Sequence, residues 1–317
     1  MGILLSMEGA IGQGILWAIM ALGVYITFRL LDFADLTVDG SFATGGAVSA
    51  ILIINGCDPI VTLIVALLAG CVAGAITGLL NTTCRIPAIL SGILTQIGLY
   101  SVNLMIMSKS NIPLLNQSTV FSKLSEWIHL PRSISKYLPT NNLTTLLVGL
   151  VFVVGVVLVL YWFFGTELGS SIRATGNNPH MVRANGVNTN KMVVIALMLS
   201  NGLVALSGAL VAQQQGYADV KMGLGAIVMA LASIVLGEVL FGRKGGFYRR
   251  LSSIVIGSVV YRVIVAVVLQ LGLNANNLKL FTAILVGFAL SIPMMMERSN
   301  QKKLYKKLTR EMEGKKC

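Results

Sequence analysis

The side chains that could do chemistry in this sequence are polar groups that interrupt long apolar runs. Gln96, Tyr100 and Asn103 follow one another at i, i+4 and i+7, a spacing that places them on one face of a helix. Arg262 lies near the middle of another apolar run, where a charge has to face protein or water. Such groups can hydrogen-bond a small polar solute, and bonding between helices is the alternative for each Ser, Thr or Asn. The candidate lining residues are Asp39, Ser41, Thr44, Gln96, Tyr100, Asn103, Ser200, Asn201 and Arg262.

No motif in the sequence indicates bond-making chemistry. HExxH, CxxC and GxSxG motifs are absent, and His129 and His180 stand apart without metal-ligand spacing. The stretch 237–244 resembles a phosphate-binding loop, but it ends an apolar helix and does not follow a strand. The four cysteines are too scattered to predict a disulfide framework. We therefore expect no enzyme activity, no catalytic residue, no metal and no cofactor bound by this chain.

Membrane-spanning helices are the elements that must position these polar groups. Hydrophobic residues make up 55% of the 317 and charged residues 11%, with a mean hydropathy of +0.81, which excludes a soluble globular domain. Apolar runs of about 20 residues predict an all-α polytopic membrane protein with about eight to ten transmembrane helices. The repeated glycines Gly70-x3-Gly74-x3-Gly78 predict a closely packed helix face. The predicted spans are 9–28, 38–56, 59–81, 86–107, 143–164, 191–213, 223–241, 250–270 and 278–296.

The second of these spans is the least regular. Acids, threonines and glycines crowd residues 31–50 at its entrance. One interpretation is a discontinuous or re-entrant early helix whose free backbone groups line a path through the membrane. The alternative is an ordinary loop followed by a poor helix, and composition alone does not separate the two.

The distribution of basic residues predicts the orientation of the chain. With the C-terminus in the cytoplasm, 17 of the 24 Lys and Arg residues lie inside and six outside, as the positive-inside rule requires. This places 166–190 in the cytoplasm and the loop 108–142 outside. The net charge of +12 therefore indicates contact with the lipid bilayer, with no nucleic-acid partner. We expect a transmembrane domain, 1–297, followed by a basic cytoplasmic tail, 298–317.

The hydrophilic stretch 166–190 contains a complete set of helix start and stop signals. Asn178 can cap a helix, Pro179 suits its first turn, and Gly186 can end it in a left-handed conformation. The resulting helix, 179–185, is too short to persist in water by itself. A two-turn helix between two membrane spans predicts a surface that another protein contacts.

Residues 172–216 resemble a known family of transport proteins. The order Arg173-Ala174-Thr175-Gly176, a polar pair, a short helix, Gly186-Val187-Asn188 and a span ending near Ser207-Gly208-Ala209 is similar to permease subunits of ABC importers in the branched-chain amino acid and ribose permease superfamily. The stretch DFADLTVDGSF looks most like the subgroup for tryptophan and tyrosine uptake. The resemblance extends over about residues 10–295 through 35–50, 86–90 and 236–246.

The resemblance implies a homodimeric permease in the bacterial cell membrane. Its partners would be two cytoplasmic ABC ATPase subunits and an extracellular or periplasmic substrate-binding (lipo)protein. ATP binding would move the docked short helix and switch the path between outward and inward access. The solute would be an amino acid, aromatic by the subgroup. The ATPase-coupling residues implied are Asn177, Asn178, Pro179, His180, Met181, Val182, Arg183, Ala184, Asn185 and Gly186.

Two other functions fit parts of the sequence. An ion- or proton-coupled secondary transporter would need no ATPase, and Arg262 and the irregular second span are compatible with it. An intramembrane transferase acting on a lipid would need clustered acids or histidines, and only Asp32, Asp35 and Asp39 approach that pattern. Flux through the reconstituted chain alone would indicate the secondary transporter, whereas co-purification with an ATPase would indicate the importer.

Overall fold

The computed structural model describes residues 2–127, 140–242 and 245–270, and further along the chain 280–284, 286–288 and 291. Within these ranges seven helices are long and apolar enough to cross a membrane, and one further apolar helix is shorter. The predicted all-α polytopic membrane class is thereby confirmed. The predicted span 278–296 and the tail 298–317 lie largely or wholly outside the described residues.

The bundle has two ends, which we name by the elements found there. The short-helix end carries the turn 83–87 and the segment 166–188 with its two short helices, and the sheet end carries the turn 55–58 and two short strands. The elements in chain order are α1 (Gly2–Tyr25, continued by a π-turn, Ile26–Leu30), α2 (Thr37–Ile54), α3 (Pro59–Thr82), α4 (Ala88–Met107), β1 (Asn111–Pro113), α5 (Val120–Trp127), α6 (Thr140–Gly165), α7 (Glu167–Asn177), α8 (Pro179–Ala184), α9 (Thr189–Gln215), β2 (Tyr217–Asp219), α10 (Ala226–Phe241) and α11 (Phe247–Gln270).

Helices α1 and α9 form the centre of the bundle. α1 packs against α6, α9, α10 and α11, and α9 packs against α1, α2 and α3. Apolar surface gives little driving force between helices in lipid, so close contact of small residues matters more. Gly70, Gly74 and Gly78 of α3 lie directly against the backbone of α9; a Cβ on Gly78 would stand 2.9 Å from Cα of Val194. The predicted glycine face is therefore a packing face.

The irregular part of the early polar stretch lies ahead of its helix. Residues 33–36 have no regular structure, while α2 is continuous from Thr37 to Ile54. Its glycines serve close packing and do not interrupt it, since Gly45 meets the backbone carbonyl of Ala205 with no room for a Cβ. The predicted discontinuous helix was therefore wrong, and the structure has the alternative arrangement of a loop followed by a helix.

Two features of the connections were not predicted from the sequence. The stretch 166–190 contains a second helix, α7, which Thr166 caps by accepting from the Gly169 N–H at 3.4 Å. At the sheet end, β1 and β2 pair antiparallel, with Ile112 opposite Ala218. Three-residue strands are too short to show an alternating pattern, so the sequence carries no signal for them.

An exposed ion pair joins α5 to the start of α3 at the sheet end. Lys123 of α5 lies 2.8 Å from Asp58, the residue that caps α3. The Lys123 ammonium and the Ile60 N–H hold the pKa of the Asp58 carboxyl below its ordinary value. Both side chains are about half exposed, so solvent screening leaves this pair a small contribution to stability.

Candidate functional site

The predicted short helix is present as α8, on the outside of the short-helix end. Asn178 caps it with Oδ1, which accepts from the Met181 N–H at 3.1 Å. Gly186 follows with φ +81°, the left-handed conformation that commonly ends a helix. Among its residues only Val182 is buried, so α8 presents most of its surface outward. Exposed residues in and beside it are Asn177, Asn178, Pro179, His180, Met181, Arg183, Ala184, Asn185 and Gly186.

Short-range contacts tie α8 to the central helix α9. Arg183 Nε donates to Oγ1 of Thr189 at 2.6 Å, and Thr189 is buried at the start of α9. On the other side, Gly176 of α7 lies so close to the carbonyl of Leu30 that no Cβ would fit. The short helix α8 is thus joined to α9 directly and, through α7, to the end of α1.

A cavity of about 620 Å³ lies beside α8. Leu31 and Phe33 from the break after α1 line one part of it, and Arg85, Arg183 and Asn190 line another. The short helix is consequently held by its two ends and by Val182, with open space next to it.

Two of the candidate lining residues meet in one buried network. Asn201 of α9 accepts from the Ser41 hydroxyl at 2.7 Å and donates to Oδ2 of Asp35 at 2.7 Å. The other carboxylate oxygen of Asp35 accepts from the Thr37 N–H at 2.9 Å. All three of these side chains are at most 2% exposed. The network fastens the break before α2 to the middle of α9.

Asp35 belongs to this network but was not among the candidates. It lies outside the apolar runs, in the irregular segment, whereas the candidates were polar residues within or at the start of the predicted spans. The sequence does indicate the bond to the Thr37 N–H, because Asp35 stands two residues before Thr37, the spacing of an Asx turn.

A row of hydrogen-bonded threonine hydroxyls lies alongside this network. Thr37 Oγ1 lies 2.7 Å from Thr77 Oγ1, and Thr77 Oγ1 lies 3.0 Å from Thr95 Oγ1.

Three other candidates make helix-to-helix or local contacts. Asp39 accepts from the backbone N–H groups of Gly225 and Ile227 at 2.9 and 3.0 Å, so this residue of α2 caps the start of α10. Ser200 donates to the Gly23 carbonyl of α1 at 2.8 Å, and Thr44 donates to Gly40 in its own helix. The contacts of Asp39 and Ser200 join helices, whereas that of Thr44 stays within α2.

The three candidates on α4 do not share one environment. Gln96 is half-buried and Tyr100 is 43% exposed, whereas Asn103 is fully buried. Neither the amide nitrogen nor the oxygen of Asn103 has a hydrogen-bond partner among the described residues. A buried amide without partners carries an unrecovered desolvation cost. Asn103 is therefore the α4 candidate with free hydrogen-bonding capacity inside the protein.

Arg262 faces protein, as its position in a span requires. Its guanidinium lies over the Trp17 ring, 4.1 Å from the centroid, and its buried Nε has no hydrogen-bond partner within the described part of the chain. Glu238 pairs with Arg29 of the π-turn at the short-helix end. Glu238 of α10 and Arg262 of α11 thus make contacts in different parts of the bundle.

Known proteins resemble this chain along most of its length. The family model "Branched-chain amino acid transport system / permease component" matches residues 6–290. The chain is 38% identical over 274 residues to the tyrosine transport system permease protein of Clostridioides difficile (strain R20291), covering 86% of each protein. It is 28% identical over 231 residues to the ribose import permease protein RbsC of Escherichia coli (strain K12), covering 72% of this chain and 68% of that one.

The helical bundle and these likenesses define a multi-pass permease component of a membrane transport system. The chain belongs to the branched-chain amino acid transport system / permease component family.

Proposed function

We propose that this chain is the membrane-spanning permease subunit of an ATP-driven ABC importer, with α8 as the element that a partner ATPase moves. The position of α8 carries the proposal. It faces outward, and the Arg183–Thr189 hydrogen bond joins it to the central helix α9. A motor that shifted α8 would move α9 as a rigid body and change which end of the path is open. The proposed coupling residues are those of 177–186.

The short-helix end lies in the cytoplasm of a bacterial cell in this proposal, together with the C-terminus. The charges at the two ends support the orientation. Basic residues described near the short-helix end are Arg29, Arg85, Arg173, Arg183, Lys191, Arg249 and Arg250, and those near the sheet end are Lys109, Lys123 and Lys221.

The proposed solute is a small polar molecule, with an aromatic amino acid favoured. The name of the tyrosine transport relative supports this choice. The amide of Asn103, which has no partner among the described residues, would give a weak contact on the path, and weak contacts suit transport because the solute must also leave. Competition among tyrosine, tryptophan, leucine and ribose for uptake into the same cells would identify the solute.

The proposed assembly is a homodimer with two ATPase subunits and an external substrate-binding protein. Apolar side chains cover the outer faces of α3 and α4, including Leu68 and Met105, and would face lipid or a second copy. Mass spectrometry of the tagged full chain purified from its own membranes should identify an ATPase. Gradient-driven flux through the chain alone would contradict the proposal and indicate a secondary transporter.

The coupling role is tested by a charge on the exposed face of α8. Met181 is 52% exposed, so Met181→Glu should fold normally but abolish ATPase co-purification and uptake. Leu115→Glu is the matched control, since Leu115 is an exposed apolar residue at the sheet end. Equal melting temperatures of the two variants would establish folding. Wild-type uptake by Met181→Glu would overturn the coupling assignment.

A further inference from the structure

An aromatic groove lies at the short-helix end, apart from α8 and from the polar networks. It has a volume of about 460 Å³ and is formed where α6 ends, α7 begins and α11 starts. Tyr161 and Trp162 form its outer rim, and Phe164, Phe247 and Arg173 line it more deeply. Nothing in the coupling role described above uses this groove.

Arg173 has hydrogen-bonding capacity that its protein contacts do not use. One guanidinium nitrogen donates to the Phe164 carbonyl at 2.9 Å, and the group lies 5.5 Å from the Phe247 ring centroid. Its Nε is buried and has no partner within the described residues. A guanidinium has five N–H donors in a fork that matches carboxylate and phosphate oxygens. Capping Phe164 explains only one of these donors, so an anionic acceptor would complete the site.

The rim of the groove has the character of a membrane interface. Trp162 is 70% exposed and Tyr161 53% exposed, and Tyr161 stacks edge-on against Tyr248 at 6.2 Å. Tyrosine and tryptophan concentrate at the level of lipid headgroups. Tyr161 and Trp162 stand near the end of the membrane helix α6, so a phosphate at headgroup depth would lie beside the groove.

The charge in the groove is complementary to an anionic lipid. Arg173 is the charged residue that lines it, and no acidic residue of the described part of the chain does so. Basic residues near a membrane surface attract anionic lipids. The apolar rim would at the same time accept acyl chains.

We propose that this groove binds an anionic glycerophospholipid, with the phosphodiester on the Arg173 guanidinium and the acyl chains along Tyr161 and Trp162. The groove and the Arg173 guanidinium define the site. Its assignment to the cytoplasmic leaflet rests on the proposed orientation.

Titration of the purified full chain with short-chain lipids tests the site. Dioctanoyl phosphatidylglycerol should raise the melting temperature of the wild type saturably, and dioctanoyl phosphatidylcholine should have little effect. Arg173→Met should weaken the apparent affinity for phosphatidylglycerol about tenfold, as loss of a charge-assisted hydrogen bond predicts.

Arg249→Met is the matched control. Arg249 is also an arginine at the short-helix end that donates to a helix-terminal carbonyl, that of Phe241 at 3.3 Å, but it does not line the groove. It should keep near wild-type affinity. Equal losses in the two variants would show only general charge attraction, and an unchanged Arg173→Met would show that the phosphate is not held there; either result overturns the proposal.

Fluorescence quenching tests the same site without altering Arg173. In vesicles of equal bromine content, dibrominated phosphatidylglycerol should quench Trp162 more than dibrominated phosphatidylcholine. The difference should disappear in Trp162→Phe. Equal quenching of the wild type by both lipids would contradict the proposed binding.

Discussion

At the scale of single residues, Asn201 joins three parts of the bundle through one amide group. It bonds Asp35 in the break, Ser41 in α2 and the Leu197 carbonyl in its own helix. We expect Asn201→Leu to destabilise the protein by about 2 kcal/mol or more, because a buried carboxylate and a hydroxyl lose their partners. Ser41→Ala, which removes one donor, should cost less. Thermal unfolding in detergent measures both, and an Asn201→Leu melting temperature equal to the wild type would refute this role.

Gly186, in contrast to Asn201, acts through its backbone conformation. A Cβ there would meet nothing within 4 Å, yet φ is +81°, so conformation alone decides what the position tolerates. Gly186→Val should misplace α8 and abolish ATP-driven uptake, since a left-handed conformation costs about 1–2 kcal/mol for such residues. Gly186→Asn should keep most of the activity, because asparagine tolerates this region. Similar uptake by the two variants would disprove the argument.

At the scale of elements, the contact between α3 and α9 depends on glycine. A Cβ on Gly74 would overlap the backbone carbonyl of Leu197, whereas a Cβ on Gly98 of α4 would meet nothing within 4 Å. We expect Gly74→Ala to lower the yield of folded protein sharply, because the two backbones would have to separate. Gly98→Ala is the control and should behave like the wild type. Size-exclusion chromatography with a melting curve distinguishes them.

The elements show how far sequence reasoning reaches in this chain. The short helix was predictable because its cap at Asn178 and its stop at Gly186 are local signals. The membrane spans followed from composition in the same way. By contrast, Asp39 and Ile227 are 188 residues apart in sequence, and Arg29 and Glu238 are 209 apart. Periodicity carries no information on which helices become neighbours, so these pairs needed the structure.

The candidate lining residues on α4 do not share one environment for the same reason. The spacing of Gln96, Tyr100 and Asn103 gave a common helical face, but the neighbours of α4 bury Asn103 and leave Tyr100 exposed. Similarly, Asp39 is a helix cap for α10, which no property of its own segment indicates. Polar residues within spans were thus located correctly, while the structural partners of each one were set by tertiary packing.

At the scale of the whole molecule, two native cysteines can report the orientation. Cys57 and Cys84 flank α3, and both are exposed and free, whereas Cys71 is partly buried within it. A variant that keeps only Cys57 should react with a membrane-impermeant maleimide in intact cells. A variant that keeps only Cys84 should react after permeabilisation alone. The opposite labelling would place α8 outside the cell and exclude a cytoplasmic ATPase as its partner.

The pairing of α3 with α9 also constrains how the protein is made. The ribosome delivers α3 more than a hundred residues before α9, and α9 supplies the surface that Gly70 and Gly74 lie against. Until α9 is made, the helices α2, α3 and α4 have one another as neighbours, but the glycine face of α3 lacks its partner. Asp35 likewise has no Asn201 to bond until that helix arrives.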